Sequence, residues 1–96
     1  MASDYKISLV ARNEGLDYRD SRGTYRFDVD LSRGIWNVYL PGSKGDNYEV
    51  HILSDEERPI ILPRIERFLS TLKYFRWFGP TYPVSFVTRA PKSISS

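Results

Sequence analysis

Two alternating stretches on either side of a short turn constrain this chain more than any other feature. From Thr24 to Leu31, the residues Tyr25, Phe27, Val29 and Leu31 fall on one side while Arg26, Asp28 and Asp30 fall on the other. That period of two belongs to a half-buried strand. Ser32-Arg33-Gly34 then reverses the chain into Ile35-Trp36-Asn37-Val38-Tyr39-Leu40. A three-residue loop would set Val29 opposite Asn37 and bury polar groups. A loop of two or four residues pairs Leu31 with Trp36, Val29 with Val38 and Phe27 with Leu40. The second choice makes one continuous apolar face and is the register expected.

Shorter strands flank this hairpin. Tyr5 to Val10 alternates weakly, Asn13-Glu14-Gly15 is a turn signal, and Leu16-Asp17-Tyr18 leads to a second turn at Asp20-Ser21-Arg22-Gly23. Pro41-Gly42-Ser43-Lys44-Gly45-Asp46 has the composition of a loop. Tyr48 to Leu53 alternates again, and its β-branched residues suggest that Tyr48, Val50 and Ile52 point inward with Phe27, Val29, Trp36 and Val38.

After Leu53 the period changes. Ser54-Asp55-Glu56-Glu57 has the form of a capping box, in which the Ser hydroxyl accepts from the backbone three residues on and the Glu reaches back. Ile61, Leu62, Ile65, Phe68, Leu69 and Leu72 then follow helical spacing. Pro59 and Pro63 lack an N–H and crowd the preceding turn, so the expectation is a capped turn at 55–58 and then a helix to about residue 74, bent or loosened near Pro63. Gly79-Pro80 stops it, Tyr82 to Val87 reads as a last strand, and residues 90–96 read as a polar, disordered tail.

The order β-β-β-β-β-α-β implies an α+β fold. Five to six strands form a mostly meandering antiparallel sheet, and one amphipathic helix covers its apolar face. Ninety-six residues suit one domain, with a core over about 4–89. The absence of cysteine, of a signal-like N-terminus and of any apolar run near the length of a membrane span leads to the expectation of a cytoplasmic protein.

Few residues invite a chemical role. His51 is the single histidine, and the alternation places it on the polar sheet face with Asp28, Asp30, Asn37, Tyr39 and Glu49 as neighbours. A general base needs a nucleophile in reach, and no motif marks one, so a solvated strand histidine is the expectation. One histidine and no cysteine leave only carboxylates for a metal, and Asp28-Val29-Asp30 lacks the calcium-loop pattern. Gly42-Ser43-Lys44-Gly45 lacks the spacing of a phosphate-binding loop. No cofactor, metal or catalytic residue is expected.

Charge and aromaticity say more. Residues 1–63 carry eight Lys and Arg against eleven Asp and Glu, whereas residues 64–96 carry six against Glu66 alone. Within that basic third, Tyr74-Phe75-Arg76-Trp77-Phe78 places four aromatics around an arginine. Phe75 and Phe78 suit a continuation of the core stripe. Arg64, Arg67, Lys73, Tyr74, Arg76 and Trp77 are the candidate binding residues, since arginine and aromatics dominate interface hot spots and also hold single-stranded nucleic acid. The expected function is a non-enzymatic binding protein of inhibitor, immunity or adaptor type, acting on a protein partner or a second copy of itself. Nucleic acid is the alternative partner.

Overall fold

The structure is a computed structural model and describes residues 4–12, 14–73 and 79–89. Five strands run as an antiparallel meander: β1 (Lys6–Val10), β2 (Gly15–Asp20), β3 (Gly23–Ser32), β4 (Ile35–Lys44) and β5 (Glu49–His51). The helix α1 (Arg58–Ser70) follows, and β6 (Val84–Thr88) closes the six-stranded sheet beside β4. The β3–β4 hairpin has the expected register, with Leu31 opposite Trp36 and Val29 opposite Val38. Its loop is the two-residue one, Arg33 at φ 55° and Gly34 at φ 73°, the positive angles that suit the right-handed twist of a hairpin.

Beyond Val29 the ladder departs from regularity. The expected pairing of Phe27 with Leu40 does not form: Asp28 pairs with Tyr39 but Arg26 pairs with Ser43, so β4 carries extra residues opposite Phe27. The 41–46 segment is therefore not a loop, because Pro41 to Lys44 are part of β4 and the turn follows at residues 45–48. Gly42 makes the bulge possible. A Cβ there would lie 2.4 Å from the Arg26 carbonyl and 2.5 Å from the Phe27 ring, closer than any side chain tolerates.

β5 is paired with the opposite face inward from that expected. Leu53 is buried and His51 faces the helix, whereas Val50 is 64% exposed and Ile52 71% exposed. Hydrophobicity alone decides little here, because either parity buries an aliphatic residue. The bonds from His51 to Glu57 and the burial of Leu53 select the observed one. Val50 thus leaves the core, which consists of Leu16, Tyr18, Tyr25, Phe27, Val29, Trp36, Val38, Leu40, Leu53, Ile61, Ile65 and Leu69.

The capping box forms as its residues predict. The Ser54 hydroxyl accepts from the Glu57 N–H at 3.1 Å, and the Ser54 N–H donates to the Glu57 carboxylate at 2.8 Å. It shapes a turn over residues 55–57, and α1 begins directly after it with Pro59 in its first turn, where no N–H is needed. The helix runs through Pro63 and ends at Ser70, earlier than residue 74. Thr71 ends it: its hydroxyl donates to the Arg67 carbonyl at 2.6 Å, competing with a further turn. Ile61, Ile65 and Leu69 form the buried stripe, with Leu62, Phe68 and Leu72 packed beside it.

β6 lies parallel to β4, Trp36 opposite Val84 and Leu40 opposite Thr88, because the chain has crossed the sheet through α1 before returning. β4 therefore has two neighbours on one side. Its first half pairs with β6, and its second half pairs with β5 from Gly42 to Lys44.

Candidate functional site

The inner face carries a hydrogen-bonded cluster at the start of α1. Glu57 is 7% exposed, yet its carboxylate accepts from the Tyr25 phenol at 2.6 Å and the Ser54 N–H at 2.8 Å, and lies 2.9 Å from His51 Nε2. Lys44 Nζ adds a cation at 3.7 Å. Burial alone would raise the carboxyl pKa, but the bonds from Tyr25, Ser54 and His51 outweigh it and hold the group at about 2. The Tyr25 phenol is pushed up by burial and by that same carboxylate. Every oxygen of this anion is engaged in joining β3, β5 and α1. His51 is correspondingly a tether on the inner face, not a solvated residue beside Asp28 and Asp30.

The open face has its own network. Asp30 accepts from Asn37 at 2.8 Å and from the Tyr39 phenol at 2.6 Å, Arg26 forks onto Asp17, and Arg89 pairs with Asp28 while lying over the Tyr39 ring. Tyr39 and Asn37 hold Asp30 below the usual carboxylate range.

Of the sequence-derived binding residues, Arg64 has a structural task. It donates to the Tyr18 phenol at 2.7 Å and lies 4.3 Å from the centre of the Tyr5 ring, linking α1 to β2 and to the chain before β1. Arg67 and Lys73 are exposed and make no ion pair among the described residues. Arg67 borders a shallow depression with Tyr5, Ile60, Pro63 and Arg64. Tyr74, Arg76 and Trp77 lie outside the described residues, as do Phe75, Phe78 and the tail at 90–96.

A second surface was not anticipated from the sequence. Where β4 leaves β6 and takes up β5, a crevice of about 160 Å³ opens between the two short strands. Leu40, Pro41, Ile52 and Leu53 form its apolar walls, and Arg58, Thr88 and Arg89 its rim. Pro41 and Arg89 also border a depression on the open face that Val50 lines, so Val50 and Ile52 flank one continuous surface. Its signal in the sequence was present but read with the wrong parity: the alternation Tyr48, Val50, Ile52 marks the side turned to solvent.

No group of three or more His, Asp or Glu among the described residues is placed to hold a metal ion, and no described helix is long and apolar enough to cross a membrane. Compared with known proteins, the chain matches no family model, no curated protein and no solved structure. Its own surface chemistry is therefore the basis for a functional reading.

Proposed function

We propose that this chain is a small non-enzymatic binding domain that docks on another protein. One observation carries the reading: Val50 on the three-residue edge strand β5 and Ile52 directly after it, at 64% and 71% exposure, stand beside an apolar crevice. An apolar patch with a cationic rim has the make-up of a contact surface, with an anchor region at the centre and arginine around it. The polar groups that resemble catalytic machinery are engaged elsewhere. Glu57, His51 and Tyr25 bind one another and hold the helix to the sheet.

The test compares wild type with Ile52→Glu and with the double change Arg67→Glu, Lys73→Glu, in recovery of bound macromolecules and in affinity for what is recovered. The reading expects a protein whose binding falls at least about tenfold with Ile52→Glu, with shallow dependence on salt. Recovered nucleic acid would replace it. In that case affinity should drop with salt at a log–log slope of about −0.7 per neutralised phosphate on single strands, and the double change at Arg67 and Lys73 should reduce it most.

A further inference from the structure

We infer that the crevice between β5 and β6 receives one apolar side chain of an acidic segment from a partner protein, with Arg58 taking the neighbouring carboxylate. This deepens the binding-domain reading and rests on it. Three features of the site converge on that chemistry.

The first is size and lining. A space of about 160 Å³ walled by Leu40, Pro41, Ile52 and Leu53 matches the volume of an apolar cavity that accepts a single benzene-sized group. It suits one aromatic or large aliphatic side chain, and no polar atom of those four side chains competes for it.

The second is the charge at the mouth. Arg58 is exposed, makes no ion pair or hydrogen bond to a described side chain, and sits in the first turn of α1. A cation there opposes the helix dipole and adds nothing to helix stability, whereas a carboxylate arriving from outside would be favoured by both. Arg89, on the same rim, is already ion-paired with Asp28 of the adjoining depression, so the cation left for an incoming carboxylate is Arg58. The charged residues of the lining are both cationic. A second copy of the chain docked through this surface would set guanidinium against guanidinium, so an acidic partner fits better.

The third is extent. The crevice continues across Pro41 and Arg89 to Val50 on the open face. A small carboxylate in the crevice would leave Val50 uncovered. An extended protein segment covers both, anchored at the crevice and lying along the surface to Val50.

The probe is a capped five-residue peptide with a central phenylalanine flanked by aspartates, titrated into uniformly labelled protein and followed by backbone amide shifts. Saturable shifts at Ile52, Leu53 and Thr88 are expected. The lysine-flanked peptide should bind at least about fivefold more weakly, and Arg58→Gln should remove most of that preference while a neutral asparagine-flanked peptide changes less than about twofold. Equal affinity for the aspartate and lysine peptides, shifts confined to the Arg67 face, or no saturable binding would each overturn the inference. If the peptide fails while Ile52→Glu still abolishes binding of a recovered protein, the binding-domain reading stands and the assignment of crevice chemistry falls.

Discussion

The Tyr25 phenol donates to the Glu57 carboxylate at 2.6 Å, joining residues 32 apart in sequence through a bond that is buried at both ends. Tyr25 is near the start of β3 and Glu57 immediately precedes α1, so this contact fixes where the helix starts relative to the sheet. His51 and the Ser54 N–H converge on the same anion.

Removing the anion should therefore cost more than removing any one donor. Glu57→Ala leaves a buried phenol and a backbone N–H without their acceptor, a loss of about 2–4 kcal/mol. Tyr25→Phe should cost about 1–2 kcal/mol and His51→Gln about 1 kcal/mol, because the carboxylate keeps its other partners. Urea titration with equal m-values measures all three. A cost for His51→Gln above that for Glu57→Ala would contradict this ordering.

The same anion sets an acid limit. Its pKa is about 2 when folded against an ordinary value of 4.5, so its contribution is complete above about pH 4.5 and disappears as pH falls towards 2. By linkage that shift is worth on the order of 3 kcal/mol. Asp20 and Asp30, also held low, add to the loss in the same direction. Stability measured from pH 6 to pH 2 should decline less steeply in Glu57→Gln than in wild type, and parallel curves would refute the assignment. At the alkaline end the sign is reversed. Tyr18, raised by burial and by Asp20 to about 12, contributes stability below pH 10 that is lost as pH climbs towards 12.

Gly42→Ala should destabilise by about 2–3 kcal/mol, since the new methyl meets the backbone of Arg26 and the ring of Phe27. Gly45→Ala has open space around it and only the strain of φ +89° to bear, about 1 kcal/mol. Comparing the two melting temperatures separates close approach from conformational strain, and equal shifts would argue against the bulge as described.

In the core, Ile65→Ala should cost about 3–4 kcal/mol because the residue has no exposed surface. Phe68 is packed against the core but half-buried, so Phe68→Ala should cost less, about 1–3 kcal/mol. Val50→Thr and Ile52→Thr should both stay within about 0.5 kcal/mol of wild type. A loss above 1 kcal/mol at Ile52 would mean that the residue supports the fold and does not serve as a contact surface.

Legibility in the sequence followed the strength of the local signal. Residues 28–39 were readable to the register because a one-residue slip would have put Asp28 and Asp30 in the core, and the helix stripe Ile61, Ile65, Leu69 was readable for a similar reason, whereas the bulge beyond Asp28 was not. β5 was not. Tyr48, Val50 and Ile52 looked like core residues, and the deciding partner of His51 lies six residues away across a turn. The continuation of β4 through Pro41 and Gly42 was hidden because those residues are turn formers, and only the backbone of Arg26 gives Gly42 its reason. Among the proposed binding residues, Arg67 and Lys73 are exposed, while Arg64 is bound to a phenol 46 residues earlier. The crevice and Arg58 depend on two edge strands meeting end to end, which no local pattern encodes.

The shared side of β4 has a consequence for how the chain is made. β6 is the last of these elements to leave the ribosome, and until it arrives the stretch Trp36 to Leu40 has β3 on one side and bare backbone on the other. That stretch carries Trp36, Val38 and Leu40, an apolar edge of the sort that recruits other strands. Until β6 is in place, the hairpin and the helix surround an unfinished centre. The five residues Val84 to Thr88 thus close the strand edge at which a partly made chain is most exposed to mispairing.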